Sequence, residues 1–281
     1  MNVRVIQSAR VAEMIQELIR AASFSLPVPV ARRIDGLLAQ EDSEIARSVL
    51  EVLKENNRIA ADESLPLCQD CGIVIVFLEI GQEVVFEGSL SAAVNAGVAK
   101  AYDIHSLRKS VVEDPLKRIN TGTNTPAFIH TDLAEGSRLK ITVYLKGGGS
   151  ENMSALHLFR PTDTRDAIID YIAGAVTQAG PNPCPPLFLG VGIGGTADAA
   201  MLNSKKAVLR GVDTRHPDPL YRDLEERIEK RLNETNIGPL GFGGKSTVGG
   251  VYILEAPTHI AMLPVALNMN CHSLRYVTAE I

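Results

Sequence analysis

The stretch Pro66-Leu67-Cys68-Gln69-Asp70-Cys71-Gly72 constrains this chain most: two thiols, an amide and a carboxylate stand between apolar segments and end on a glycine. Upstream, residues 60–65 read as a helix end and a loop. Downstream, Ile73-Val74-Ile75-Val76-Phe77-Leu78 is a β-branched run with the composition of a buried strand. A thiol-bearing loop at the mouth of a buried strand is a common place for a site, because the strand fixes what the loop presents.

Four cysteines in 281 residues are too few for a disulfide scaffold, so they read as reduced thiols or metal ligands. Cys68-x-x-Cys71 taken alone suggests a redox pair, but no matching βαβ pattern surrounds it and its Gln-Asp centre is polar and acidic. Structural zinc usually takes two close pairs, whereas Cys184 and Cys271 are distant singles. Both could be small buried hydrophobes. Yet Cys184 lies among four prolines and Cys271 lies in Met269-Asn270-Cys271-His272, settings that favour shared metal ligation.

An iron–sulfur cluster fits better than zinc if three thiols ligate it, since one iron then stays open to substrate as a Lewis acid. Hydration and dehydration of hydroxy acids need that acid at the leaving hydroxyl, a placed acid–base residue and cations for the carboxylates. Asp70, Arg108, Lys146 and His259 have suitable chemistry, and each reads equally as an ordinary solvated or hydrogen-bonded residue.

Periodicity organises the rest. Val11, Met14, Ile15, Leu18, Ile19 and Ala22 share one helical face, as do Ile45, Val49, Leu50 and Leu53, with Ser43 as cap. Between them, Pro27-Val28-Pro29 precedes a short helix around Ile34, Leu37 and Leu38. Residues 89–102 carry good helix formers, and 138–146 alternate as a half-exposed strand running into Gly147-Gly148-Gly149. Helices are expected over about 164–178, 196–209 and 217–234, and strands at 187–195, 251–254 and 261–268. The expectation is a mixed α/β (α+β) fold: amino-terminal helices over about 8–60, then mixed β-sheets with packed helices. With no linker or repeat, 1–281 reads as one large domain.

A net charge of −5 argues against nucleic acid as a general partner and for small molecules or proteins. The amino terminus lacks a leader's apolar run, and no segment offers about 18 uninterrupted apolar residues for a membrane span. A cytoplasmic location is expected. Gly190, Gly192 and Gly195 satisfy GxGxxG, but no second strand ends in an acidic residue about 20 residues on, so a structural turn or an anion-facing turn reads better than a dinucleotide loop.

Together, Cys68-Gln69-Asp70, Arg108-Lys109-Ser110, the 120–126 run Asn-Thr-Gly-Thr-Asn-Thr-Pro, Lys146-Gly147-Gly148-Gly149-Ser150, Cys184-Pro185-Pro186 and Gly243-Gly244-Lys245 resemble the α subunit of two-subunit class I fumarases and the related L-tartrate dehydratases. The same unit forms the amino-terminal half of single-chain iron–sulfur fumarases. The resemblance runs from about residue 10 to 275.

It implies a fumarate hydratase α subunit, interconverting fumarate and (S)-malate, or an L-tartrate dehydratase α subunit. It implies a [4Fe–4S] cluster on Cys68, Cys184 and Cys271, and a small dicarboxylate bound by Gln69, Asp70, Arg108 and the Gly147–Gly149 turn. Asp70 would act as acid or base near the hydroxyl, and His259 would reach a neighbouring protomer's site. The remaining catalytic groups would come from a separate β subunit, in an α2β2 assembly, which the end of the chain ten residues after Cys271 also suggests. The family usually reads Cys-Gln-Asp-Thr-Gly, so Cys71 is a departure. As a fourth thiol it would close the cluster, leaving a reading of a different class: a metal- or cluster-stabilised binding protein without chemistry.

Overall fold

Apolar periodicity builds the helices. In the computed structural model, which describes residues 3–281, α1 (Ser8–Phe24) buries Val11, Ile15, Leu18, Ile19 and Ala22. Helix α2 (Val28–Gln40) starts after the Pro27 break, and α3 spans Glu44–Glu63. The Ser43 hydroxyl accepts the Ala46 N–H at 3.3 Å and caps α3. Met1 and Asn2, at the start of the amino terminus that lacks a leader pattern, lie outside the described residues. No helix among the described residues is long and apolar enough to cross a membrane.

The fold is of the mixed α/β class, arranged as two compact units. The first holds the described residues through Pro27, Asn57–Gly148 and Arg275–Ile281; the second holds Val28–Asn56 and Gly149–Leu274. In the first, β1 (Arg4–Gln7) pairs in parallel with β3 (Val84–Glu87). Strands β2 (Ile73–Gly81), β4 (Phe128–Ala134), β5 (Leu139–Lys146) and β10 (Arg275–Glu280) form a sheet in the order β10-β5-β2-β4. Val74, Val76 and Leu78 of β2 and Ile141, Val143 and Leu145 of β5 form one core with α1 and with α4 (Leu90–Ile104).

The alternation over 138–146 predicts a half-exposed strand, and β5 departs from it. Thr142, Tyr144 and Lys146, on its polar face, are as buried as the apolar residues between them. The strand lies centrally, between β10 and β2, so its backbone is paired on both sides. Its polar groups find partners instead: the Thr142 and Thr278 hydroxyls are 2.8 Å apart, and the Lys140 ammonium donates to Glu79 at 2.7 Å.

In the second unit, β6 (Ala155–Phe159), β7 (Leu187–Gly194), β8 (Val248–Ala256) and β9 (Leu263–Asn270) lie in the order β6-β9-β7-β8. Leu187, Leu189, Val191 and Ile193 pack with α6 (Arg165–Ala179) and α8 (Pro219–Asn233). The alternate residues Gly190 and Gly192 admit α7 (Ala197–Ala207): a Cβ on either would stand 1.9 or 2.0 Å from the carbonyl oxygens of Ser204 or Ala200. These two glycines of the GxGxxG match are spacers within a buried strand, not a phosphate-binding loop.

Candidate active site

In the first unit the loop between α3 and β2 separates its two thiols. Cys68 is half-buried, and its sulfur accepts the Asp70 N–H at 3.4 Å. Gln69 beside it is exposed, its Oε1 3.2 Å from the Cys68 sulfur. Cys71 points the other way, into the core shared by α1, α4, β2 and β5. Its sulfur accepts the Arg108 N–H at 3.2 Å. Burial pushes the Cys71 thiol up, and the Arg108 N–H offsets that only in part.

Gly72 follows with a φ of +81°, and a Cβ there would meet the Lys146 carbonyl oxygen at 2.8 Å. The loop thus closes directly onto the end of β5. That contact sets Asp70 against the turn after β5: its Oδ1 accepts the Gly72 N–H at 2.9 Å and its Oδ2 accepts the Gly148 N–H at 2.8 Å. A carboxylate offers about four lone-pair positions, so this one is oriented without being saturated. Gly147 lies alongside; a Cβ there would crowd the same Oδ2 at 3.2 Å.

Two buried residues hold the arrangement. The Tyr102 hydroxyl lies 2.9 Å from the carbonyl oxygens of both Cys71 and Gly72, and burial raises its pKa. Asn124, fully buried, donates to the Gly72 carbonyl at 3.2 Å while its Oδ1 accepts the N–H groups of Ser110 at 2.7 Å and Val111 at 3.2 Å. Asn124 therefore ties the Arg108-Lys109-Ser110 loop to the Cys68–Gly72 loop. The Arg108 side chain is exposed while Cys71 and Asn124 pin its main chain. The 120–126 run marks Asn124 in the sequence but gives no hint of this task. Lys146 is 1% exposed, a buried residue rather than a solvated cation.

In the second unit, the Cys184 carbonyl accepts the His272 N–H at 3.1 Å, which sets Cys184 beside the segment bearing Cys271. Cys184 is exposed and Cys271 half-buried. Gly149, in the short helical turn α5 (Gly148–Glu151), has its Cβ position 3.6 Å from the Asn182 carbonyl oxygen. His259 occupies the exposed turn between β8 and β9, where its Nδ1 accepts the Ala261 N–H at 3.1 Å.

Thus Gln69, Asp70, Gly147, Gly148 and the Arg108 loop are assembled in the first unit, and Cys184 and Cys271 in the second. Cys184 is exposed, Cys68 and Cys271 are half-buried, and Cys71 is buried. Among the described residues no three His, Cys, Asp or Glu side chains gather as a single-ion site. A cubane differs in this respect, because each thiolate binds a different iron. Cysteine thiolates are the donors such a cluster takes.

Gly243-Gly244-Lys245 has a structural task in the second unit. The N–H groups of Lys245 and Ser246 and the Ser246 hydroxyl converge on the buried Glu41 carboxylate at the start of the α2–α3 link.

A family model described as "Fumarate hydratase (Fumerase)" matches residues 12–280. A Methanocaldococcus jannaschii chain named "Putative L(+)-tartrate dehydratase subunit alpha" is 38% identical over 280 residues, covering 97% of this chain and 98% of that one. The L(+)-tartrate dehydratase subunit alpha of Escherichia coli strain K12 is 29% identical over 270 residues, covering 95% and 89%. With a match across nearly its whole length, the chain belongs to the fumarate hydratase (fumerase) family of hydro-lyases, which takes in the tartrate dehydratase α subunits.

Proposed function

We propose that this chain is the α subunit of a cytoplasmic iron–sulfur hydro-lyase that interconverts fumarate and (S)-malate. One observation carries the reading: Asp70 is held by two backbone N–H groups, unsaturated, beside an open glycine turn and on the same loop as the accessible Cys68. Cys68, Cys184 and Cys271 would hold a [4Fe–4S] cluster, which when bound supplies a Lewis acid for the substrate hydroxyl.

Within the site, Gln69 and Arg108 bind the dicarboxylate, Arg108 by charge-assisted hydrogen bonds from an exposed side chain. Asp70 moves the proton at the hydroxyl, using lone pairs that Gly72 and Gly148 leave vacant. The Gly147–Gly149 turn lets substrate approach the backbone. His259, on its exposed turn, serves a neighbouring protomer. The relatives are named α subunits, which supports a separate β subunit and an α2β2 assembly that supplies the remaining groups.

A second reading keeps this site and replaces the substrate by L-tartrate, which differs from malate by one hydroxyl; the names of the relatives favour it. The inward placement of Cys71 supports either enzyme over a closed four-thiol binding protein. Turnover of malate and of L-tartrate by the anaerobically reconstituted α–β complex tests the reading. We expect one acid to be turned over at least about tenfold faster in kcat/KM, a modest discrimination for a site that must accept or reject one hydroxyl. The chain without its β subunit is expected to bind a cluster and turn over neither acid. Absence of turnover by the complex, or turnover by the chain alone, would overturn the proposal.

A further inference from the structure

Arg275 opens β10 in the first unit, paired across the ladder with Leu145. It is 2% exposed, and its Nε is buried with no hydrogen-bond partner among the described residues. A buried guanidinium without an anion is costly, since burial disfavours charge unless it is paired. Asp70, the carboxylate across the Gly147 gap, is held by the Gly72 and Gly148 N–H groups and makes no ion pair with Arg275 among the described residues.

An opening accompanies the unmet charge. The point where a Cβ on Gly147 would lie is 3.2 Å from Asp70 Oδ2 and 3.9 Å from Arg275 Nη2. That point is crowded for a carbon but lies at hydrogen-bonding distance from the carboxylate and close to the guanidinium, which suits a polar atom. A sulfide or a thiolate, which only accepts, would meet Arg275 favourably and Asp70 unfavourably. The α-hydroxy-carboxylate end of a hydroxy acid suits both neighbours: its hydroxyl donates to Asp70 while the carboxylate on the adjacent carbon accepts from Arg275.

We propose that Arg275 is a second carboxylate-binding arginine of this chain, taking the carboxylate next to the reacting hydroxyl across the Gly147 gap. The inference rests on the hydro-lyase reading and adds to it a residue and a contact. In this arrangement the burial of Arg275 keeps water from competing for the guanidinium, and Gly147 is the position where any side chain would block substrate.

The test uses Arg275→Met and Arg275→Lys in the reconstituted α–β complex and in the cluster-free full chain. In the complex, Arg275→Met should raise KM for the favoured hydroxy acid by about 30-fold or more, and Arg275→Lys by a smaller factor, because lysine keeps the charge and loses the fork. Cluster iron content and the reduction potential of the substrate-free cluster should match wild type. In the cluster-free chain, Arg275→Met should unfold at the same or a higher urea concentration than wild type, because it removes an unpaired buried charge. An unchanged KM in Arg275→Met, with wild-type turnover present, overturns the inference alone. So does a shifted cluster potential at unchanged KM, which would make Arg275 a counter-charge to the cluster. A lower urea midpoint in both variants would make it a structural cation and overturn the inference as well. No turnover of either acid by the wild-type complex defeats the hydro-lyase reading and this inference with it.

Discussion

Two carboxylates held by backbone N–H groups, Glu41 in the second unit and Asp70 in the first, serve different ends. Glu41 is 3% exposed and accepts from the N–H groups of Asp42, Ser43, Lys245 and Ser246 and from the Ser246 hydroxyl. Burial alone would raise its pKa, but the hydrogen bonds from Ser246, Ser43, Lys245 and Asp42 prevail and lower it. Asp70 accepts two N–H bonds, is half-buried, and borders a turn with no side chain in the way. Donor count and access, rather than residue type, separate an anchor from a group able to move a proton.

That contrast breaks first at Asp70. Asp70→Asn should lower kcat of the α–β complex by about 10²- to 10⁴-fold, the range for loss of general acid–base catalysis. Its urea midpoint should stay close to wild type, and full activity would remove Asp70 from the chemistry. Glu41→Gln should behave oppositely, losing about 3 kcal/mol of stability because buried N–H donors lose a charged acceptor, with kcat per folded molecule unchanged.

The pH dependence of Glu41 has a definite sign. Its folded pKa lies below the 4.5 of an unperturbed glutamate. Its contribution to stability is therefore fully present above about pH 4.5 and is lost as pH falls through the folded value. Urea midpoints measured across that acid range should show this loss in wild type and lack it in Glu41→Gln.

Smaller effects sharpen the first unit. Asn124→Ala should cost about 2 kcal/mol, since Ser110 and Val111 would keep buried N–H groups without their acceptor, and it should raise KM as the Arg108 loop loosens. Wild-type KM in that variant would show that Arg108 needs no such brace. Cys71→Thr should change least, by about 1 kcal/mol or less, because threonine is close in size and offers an oxygen to the Arg108 N–H. Cluster iron content and turnover should be retained; loss of the cluster would make Cys71 a ligand.

The sequence displays what is local. The stripes of α1 and α3 and the Ser43 cap are all within a turn of the helices they define. The role of Asn124 was not legible, because its partners lie 13, 14 and 52 residues away. Alternation in β5 misleads for a related reason: it reports side-chain polarity, whereas burial depends on what covers each face of the sheet. The family motifs name Asp70, Cys68, Cys184 and Cys271 as candidates. Arg275 carries no signal in a single sequence, since an arginine at a strand start ordinarily reads as solvated.

The most direct test is an EPR titration of the reduced, anaerobically reconstituted α–β complex with (S)-malate and with L-tartrate. A cluster mounted on Cys68, Cys184 and Cys271 with one iron open should change its signal on binding one of the acids, and Cys71→Thr should give the same change. A signal indifferent to both acids would contradict the open three-thiol site.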